Sequence, residues 1–214
     1  MSGYFISFEG GEGSGKTTQI QLLVDHISSS ISSLEPVVTR EPGGTESAES
    51  IRKLLVTGKA ERWQAPTEAM LMSASRHEHV VHVLRPALAA GKLVICDRYN
   101  DSTRIYQGIV GGVPRDDIEA LNSLACGDLV PHLTILLDMD VEEGLRRASD
   151  RAGEESRFES KGVEFHRRVR TAFLELAARY EDRFVVVDAA RPPEDVAADI
   201  AGIVMPRLAA ARLA

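Results

Sequence analysis

The chain is poor in cysteine, with only Cys96 and Cys126 among its 214 residues. Two cysteines do not make the disulfide framework of a small secreted protein, so we expect reduced thiols and a cytoplasmic protein. A strand is predicted to begin by Tyr4, which leaves no room for a signal peptide. No apolar run approaches the roughly 20 residues that a membrane-spanning helix needs. The sequence therefore argues against a disulfide-rich secreted domain and against an integral membrane protein.

Basic charge is scarce as well, because 25 Lys and Arg stand against 32 Asp and Glu, giving a net charge of −7. General nucleic-acid binding relies on a basic surface, so we expect no nucleic-acid partner. The segment with three histidines does not supply a zinc-protease helix either, because the residue four positions after His77 is Val81. In so acidic a chain, any site for phosphate must depend on a few individually placed cations.

The stretch Phe5–Thr18, FISFEGGEGSGKTT, contains a complete phosphate-loop pattern, G-x-x-x-x-G-K-[ST]. It follows a short apolar segment and precedes apolar residues at helical spacing, so it lies between a predicted strand and a helix N-terminus. Glycines let the backbone N–H groups curl inward, where they and the helix dipole bind phosphate. Lys16 is expected to bridge the β- and γ-phosphates of a nucleoside triphosphate, and Thr17 to offer its hydroxyl to Mg²⁺. The predicted nucleotide-binding residues are Gly10, Gly11, Glu12, Gly13, Ser14, Gly15, Lys16, Thr17 and Thr18.

Predicted strands and helices alternate along the chain, which indicates one α/β domain over residues 1–214 with a parallel sheet of five strands between helical layers. The predicted strands are Tyr4–Glu9, Pro36–Arg40, Lys92–Arg98, Leu133–Asp138 and Phe184–Asp188. The predicted helices are Lys16–Ser32, Thr45–Leu55, Thr67–Ala89, Pro114–Ala125, Val141–Ala152, Glu159–Tyr180 and Pro193–Leu213. Ligands in such folds bind outside the carboxyl ends of the strands.

Polar residues follow several of the predicted strands at that edge. Asp97 and Arg98 come after an apolar strand, where the acid is placed to hold Mg²⁺ and the arginine to bind a phosphate. The alternative is a local salt bridge at the end of the strand. The turn Arg40–Thr45 has two interpretations, a loop that closes over a second phosphate-bearing ligand or an ordinary strand-to-helix turn capped by Thr45. A proline in this tight turn also predicts a cis bond between Glu41 and Pro42.

Two other regions have both a functional and a plain structural interpretation. Met72 and Arg76 share one face of a predicted helix and would read a base as a pair, but their spacing alone favours core packing and a snorkelling arginine. The polar segment at about residues 147–160 is predicted to be a lid that carries Arg147 and Arg151 to a transferring phosphoryl group. Charged residues in this part of the chain are otherwise typical of a solvated helical face.

Taken together, FISFEGGEGSGKTTQ, TREPGGT, Ser75-Arg76, CDRYNDSTRIYQG and LLDMDVEEGLRR resemble the bacterial thymidylate kinases, from Phe5 to about Asp188. The phosphate loop alone is unspecific, whereas TREPGGT followed by DRY and S-T-x-x-Y-Q is highly specific. The resemblance implies the P-loop nucleoside-monophosphate kinase fold, transfer of the γ-phosphoryl of ATP to dTMP with Mg²⁺, and a homodimer.

The resemblance also implies roles for individual residues. Arg76 matches the thymine contact, Arg98 the contact with the dTMP phosphate, and Tyr106 the tyrosine that crowds a ribose 2′-hydroxyl. The implied substrate-binding residues are Arg40, Glu41, Pro42, Met72, Arg76, Arg98, Ser102, Thr103, Tyr106 and Gln107. The implied catalytic residues are Lys16, Arg98, Glu12, Arg147 and Arg151, and the implied metal ligands are Thr17 and Asp97.

The chain departs from some members of this family at two places. The phosphate loop contains no arginine, so the chain resembles the subtype that supplies the catalytic arginine from the lid, at Arg147, Arg151 or Arg157. Met72 replaces the usual phenylalanine that stacks on thymine, although methionine also packs against rings. The alternatives are another nucleoside-monophosphate or deoxynucleoside kinase, or a nucleotide-dependent switch, whose guanine-reading N-K-x-D motif the chain lacks.

Overall fold

The computed structural model describes residues 3–149, 157–211 and 213, and its centre is a five-stranded, all-parallel sheet. The strands are β1 Tyr4–Gly10, β2 Val37–Arg40, β3 Leu93–Asp97, β4 Leu133–Asp138 and β5 Phe184–Asp188. Their order in the sheet is β2-β3-β1-β4-β5, so the strand that carries the phosphate loop lies in the middle. The predicted fold class and all five predicted strands are confirmed, with bounds that differ by at most one residue at either end.

The central strands are almost fully buried because both faces of the sheet are covered. Ile6 and Phe8 of β1 pack toward the helices that flank one face, within a cluster that also contains Ile95 and Ile200. Phe5 lies one position away and joins a second cluster on the opposite face. The period of two along a strand thus sends alternate apolar residues into two separate cores, which explains the near-continuous apolar runs.

The helices connect the strands in the predicted order. They are α1 Lys16–Ser30, α2 Glu46–Val56, α3 Ala65–His79, α4 Arg85–Ala89, α5 Asn100–Thr103, α6 Arg115–Cys126, α7 Val141–Ser149, α8 Val163–Arg179 and α9 Pro193–Ala210. Within the part of the chain that the structure describes, no helix is long and apolar enough to cross a membrane.

Beyond shifts of one to three residues at the ends of the other helices, three helical predictions differ from the structure. The predicted helix Thr67–Ala89 begins earlier, at Ala65 with Pro66 in its first turn, and contains a π-helical segment at Val80–Leu84. The predicted helix Glu159–Tyr180 is divided by Gly162, whose φ of 79° separates a short 3₁₀ turn from α8. Residues 150–152 of the predicted helix Val141–Ala152 lie outside the described residues.

One helical region was not predicted from the sequence at all. α5 and the π-helical segment Arg104–Ile109 directly follow β3 and carry several of the predicted site residues. α5 has only four residues, NDST, which is too short for an apolar period to show in the sequence. The π-helical turn, whose geometry is common at functional sites, places the next side chains over the carboxyl edge of the sheet.

Candidate active site

The phosphate-loop residues form one turn between β1 and α1. Gly13 and Gly15 adopt left-handed backbone conformations with φ values of 69° and 87°, which glycine allows without steric cost. α1 begins at Lys16, so the loop lies at a helix N-terminus as predicted. This is the geometry that binds anions, because backbone N–H groups and the helix dipole act together.

Gly13 also lets another element approach the loop. A Cβ atom at Gly13 would lie 1.9 Å from the carbonyl oxygen of Gly144, and a Cβ atom at Gly144 would lie 2.6 Å from that of Glu12. No side chain larger than hydrogen is therefore tolerated at this crossing. The contact holds α7 against the phosphate loop, with its predicted catalytic residue Arg147 nearby.

Arg147 lines a cavity of about 390 Å³ next to the phosphate loop. Its Nε donates to Glu143 at 2.7 Å. Other cations of this cavity, Arg146 and Arg191, were not singled out from the sequence because nothing marks them within their charged surroundings. Arg151, the other predicted lid residue, lies outside the described residues.

Lys16 is buried at the start of α1. Its Nζ donates to the carbonyl oxygen of Gly11 at 2.9 Å and lies 3.3 Å from Ser14 Oγ. Burial, together with the nearby charge of Arg98, lowers the pKa of Lys16. The lysine thus sits within the loop, its ammonium group surrounded by the atoms that cradle a phosphate.

Thr17 and Asp97, the two predicted metal ligands, are neighbours. Thr17 Oγ1 donates to Asp97 Oδ2 at 3.2 Å, across the gap between α1 and the end of β3. Both residues line a cavity of about 610 Å³ at this edge of the sheet, which we call the main cavity. One hydroxyl and one carboxylate suit Mg²⁺, which is usually held by one or two protein groups together with phosphates and water.

Glu12, Arg98 and Tyr106, which we call the Glu12 cluster, meet beside the phosphate loop. Arg98 Nη2 donates to Glu12 Oε1 at 2.9 Å, and the hydroxyl of Tyr106 donates to the same oxygen at 3.1 Å. The guanidinium of Arg98 lies 5.2 Å from the centre of the Tyr106 ring. Burial opposes ionisation of Glu12, but the charges of Arg98 and Lys16 lower its pKa overall. The three predicted residues are therefore one charged unit.

Glu9 supports this cluster from β1, and the sequence analysis did not single it out. It is buried, and its two carboxylate oxygens accept from Tyr99 N at 2.9 Å and from Ser102 Oγ at 2.6 Å. Ser102 in turn accepts from Arg98 Nη1 at 3.2 Å. Burial raises the pKa of Glu9 to about 7. The signal in the sequence that could have identified Glu9 is an acid near the end of an otherwise apolar strand.

Arg98 itself has an unusual backbone conformation. Its φ of 67° is positive, which is uncommon for a residue other than glycine. Its N–H donates to Phe8 O at 2.9 Å, and the next N–H, that of Tyr99, donates to Glu9. This turn aims the guanidinium back over the sheet edge toward Glu12.

Glu41 occupies the other side of the site in a buried ionic network. Its carboxylate accepts from Arg76 Nε at 2.6 Å and pairs with His79 Nδ1 at 2.9 Å. Arg76 Nη2 also donates to the carbonyl oxygen of Tyr99 at 3.2 Å. Arg76 is only 2% exposed, so it does not snorkel to the surface, contrary to the structural interpretation of its spacing. The Glu41–Pro42 bond is cis, as predicted.

The main cavity, of about 610 Å³, connects the phosphate loop to the Glu41 side of the sheet edge. The predicted site residues that line it are Glu12, Gly13, Ser14, Gly15, Lys16, Thr17, Arg40, Glu41, Asp97 and Arg98. Arg40 is half exposed there and pairs with Glu49 at 3.2 Å rather than with the adjacent Glu41.

Other predicted substrate-binding residues lie behind this lining. Met72 is partly buried on α3, Thr103 is buried at the end of α5, and Gln107 is buried within the π-helical segment. The Thr103 hydroxyl has no hydrogen-bond partner among the described residues. Ser102 is connected to the site by its hydrogen bond to Glu9, and Tyr106 by its hydrogen bond to Glu12. Their predicted contacts with a substrate stay predictions.

Comparisons with known proteins agree with this geometry. The family model for thymidylate kinase matches residues 8–200. The chain is 50% identical over 206 residues to the thymidylate kinase of Caulobacter vibrioides, spanning 96% of this chain and 98% of that protein. It is 46% identical over 207 residues to that of Ruegeria pomeroyi, spanning 97% of each. The crystal structure of thymidylate kinase from Ehrlichia chaffeensis is similar with a TM-score of 0.77 and 32% identity, covering 95% of this chain and 100% of that one.

Proposed function

The chain belongs to the thymidylate kinase family, and we infer from this that it phosphorylates dTMP to dTDP with ATP as the phosphoryl donor. The observation that supports this most directly is the shared cavity of about 610 Å³. Phosphate-loop residues line it together with Arg98, whose guanidinium pairs with Glu12 of the loop. A donor phosphate on the loop and an acceptor phosphate on Arg98 would therefore share this cavity.

We propose that catalysis consists mainly of positioning and charge neutralisation, as is usual for phosphoryl transfer. The acceptor oxygen of a monophosphate is already ionised, so the site needs no strong general base. Lys16 is proposed to bind the donor phosphates and Arg98 the acceptor phosphate. Thr17 and Asp97 are proposed to hold Mg²⁺, which would neutralise charge on the phosphate oxygens.

Glu12 is proposed to exchange partners when substrate binds. In the structure it neutralises Arg98 and accepts from Tyr106. An incoming phosphate would compete for the same guanidinium. Before substrate binds, Glu12 holds Arg98 in place. After the exchange, Tyr106 is left next to the predicted sugar position.

We propose that base and sugar recognition belong to residues that line the cavity near Glu41 or lie behind that lining. The residues proposed for it are Arg40, Glu41, Pro42, Met72, Arg76, Ser102, Thr103, Tyr106 and Gln107. Arg76 is held there by Glu41 and the carbonyl oxygen of Tyr99, so its orientation is fixed before any base arrives. Fixed donors are what a site needs to select one base, since an unmatched base leaves them unpaired.

Arg147 is the described residue that we propose as the catalytic lid arginine, because it lines the neighbouring cavity of about 390 Å³, together with Gly13 and Gly15 of the phosphate loop. Arg157 is not proposed for this role, since its guanidinium is buried against α2. Arg151 stays an alternative. The lid predicted at about residues 147–160 stays a prediction, as does the single domain over residues 1–214.

We also propose that the protein is a homodimer that acts in the cytoplasm. Exposed apolar side chains line neighbouring faces of α3, its π-helical extension and α6, at Met70, Ala74, Val81, Ala120 and Leu124. Such a stripe is what a second copy of the chain would cover. Light scattering of the purified protein tests the assembly directly.

The activity is tested by coupled ADP release from ATP with dTMP, dUMP, dCMP, dGMP and AMP as acceptors. We expect the highest kcat/KM with dTMP. A higher value with another monophosphate would identify a different nucleoside-monophosphate kinase. ATP hydrolysis that does not depend on any acceptor would instead favour a nucleotide switch.

A further inference from the structure

A buried group of charged and polar side chains lies outside the cavity, around Gln107 of the π-helical segment. We call it the Glu68 cluster and define it as Glu68 of α3 with Gln107, Arg157 and Lys161. Glu68 is 2% exposed and Arg157 is 1% exposed, so water screens their interaction little. Arg157 Nη2 lies 2.5 Å from Glu68 Oε2, and Lys161 Nζ lies 3.7 Å from Glu68 Oε1.

Arg157 is fixed on several sides by the end of α2 and the loop after it. Its guanidinium donates to the carbonyl oxygens of Leu55 at 2.9 Å, Ala60 at 3.0 Å and Lys59 at 3.1 Å. The planar fork of an arginine offers five N–H donors in a rigid arrangement, and three of its directions end on carbonyls here. These bonds fix the guanidinium beside Glu68 as a close ion pair, in which Glu68 Oε2 accepts no hydrogen bond among the described residues.

Glu68 in turn contacts Gln107 and fixes the orientation of its side-chain amide. Gln107 Nε2 donates to Glu68 Oε1 at 2.7 Å, and both side chains are buried. A carboxylate only accepts hydrogen bonds, so the amide nitrogen of Gln107 must face Glu68 and its carbonyl oxygen must face away. The charge on Glu68 thus decides which end of the Gln107 amide is available on the other side.

The same region supports Tyr106, the neighbour of Gln107. The Tyr106 ring packs edge-on against Phe158, with ring centres 5.9 Å apart. Phe158 is in turn covered by Arg157 and Lys161, whose charged groups lie 5.2 Å and 5.1 Å from its ring centre. The hydroxyl of Tyr106 donates to Glu12 at the phosphate loop. Contacts therefore run without a gap from the Glu68 cluster to the Glu12 cluster.

We propose that Glu68 is a positioning residue for the acceptor nucleotide: held by Arg157, it fixes the Gln107 amide and, through Phe158, the Tyr106 ring. This inference rests on the proposed function, since it concerns the binding of dTMP. Glu68 does not line the cavity, and it acts through the two residues that it orients. It sets the affinity for the acceptor and leaves the donor site unchanged.

The test is steady-state kinetics of a Glu68→Gln variant, which keeps the size of the side chain and removes the charge that orients Gln107. An amide at position 68 can face Gln107 with either its oxygen or its nitrogen, so the Gln107 amide is no longer fixed and we expect the KM for dTMP to rise about tenfold or more. The KM for ATP should stay within about twofold, because no donor-side contact changes. Asp128→Asn is the matched control, as it breaks the exposed pair between Asp128 and Arg85 and should change neither constant.

A double-mutant cycle with Gln107→Ala shows whether Glu68 acts through Gln107. If it does, Glu68→Gln should raise the KM for dTMP much less in the Gln107→Ala background than in the wild type. Equal effects in both backgrounds would contradict the proposed route. A fall in kcat with both KM values unchanged would show a purely structural role and overturn the proposal.

A second variant covers the case in which Glu68→Gln does not fold. Arg157→Lys keeps a positive charge near Glu68 but loses the fork to Leu55, Lys59 and Ala60, and we expect a smaller, dTMP-specific rise in KM. An unchanged dTMP KM in folded Arg157→Lys would also count against the proposal. The wild type in the same assay distinguishes a failure of the proposed function from a failure of the proposed role of Glu68. Without dTMP turnover there, the proposed function fails, whereas normal turnover with insensitive variants refutes only the role of Glu68.

Discussion

The phosphate loop and Arg98 line one cavity, but the chain builds the loop and the surroundings of Arg98 in different ways. The loop is nine consecutive residues, and its geometry comes from backbone N–H groups, glycine conformations and one helix N-terminus. Arg98 and Tyr106, by contrast, contact Glu12 of the loop from 86 and 94 positions away in the chain. The proposed donor wall, which is the loop, is thus specified locally, whereas the proposed acceptor wall, which is Arg98 with Tyr106, depends on the packing of the whole sheet edge.

Removing the lysine of the phosphate loop is the most severe way to break the donor wall alone. We expect Lys16→Ala to lower kcat by about 10⁴-fold, because its ammonium group stabilises charge on the transferring phosphoryl group. Coupled ADP release measures the loss, and circular dichroism shows whether the fold is kept. Lys53→Ala, an exposed lysine on α2, should have normal turnover. Near-normal turnover in Lys16→Ala would refute the assignment of the donor wall.

Removing the arginine of the Glu12 cluster breaks the acceptor wall alone. We expect Arg98→Ala to lower kcat/KM for dTMP by about 10³-fold, since the acceptor phosphate loses its cation and Glu12 keeps an uncompensated charge nearby. The KM for ATP should change little. Arg115→Ala, an exposed arginine at the start of α6, is the control. If the two variants, Lys16→Ala and Arg98→Ala, affected donor and acceptor constants alike, the two walls would not be separate units.

The same contrast explains what the sequence predicted and what it did not. The phosphate loop, the five strands and the pair Asp97-Arg98 follow from local patterns, so their predicted positions are close to the observed ones. Glu9 and Glu68 form their contacts across 90 and 39 positions, and no local spacing announces such partners. The short helix α5 was missed for a related reason, since four polar residues are held in a helix by the surrounding structure rather than by their own pattern.

Breaking the buried network around Glu41 should affect stability more than a surface pair of the same chemistry. We expect Glu41→Gln to lower the free energy of unfolding by about 3 kcal/mol, because Arg76 is left buried without its counter-charge. Glu49→Gln removes the half-exposed partner of Arg40 and should cost less than about 1 kcal/mol. Urea unfolding of both variants and the wild type gives the comparison. Equal losses would mean that the Glu41 network contributes no more than the surface pair.

The smallest expected effect concerns Glu9, the buried acid that joins the two walls from β1. Burial raises its pKa from 4.5 to about 7, so between these pH values the folded protein binds a proton that the unfolded chain has lost. The contribution of Glu9 to stability therefore falls as the pH rises from about 4.5 to about 7 and is constant outside that window.

Glu9→Gln isolates this contribution, because the amide keeps an acceptor for Tyr99 N and does not titrate. Relative to the wild type, the variant should become more stable as the pH rises through the window, by about 2–3 kcal/mol. Unfolding free energies at pH 5 and pH 8 measure the change, with Glu49→Gln as a carboxylate control that should show no such rise near pH 7. A constant difference between the variant and the wild type would mean that Glu9 ionises normally. It would then be held as a charge by Arg98, and the acceptor wall would depend on that ion pair rather than on the hydrogen bonds to Tyr99 and Ser102.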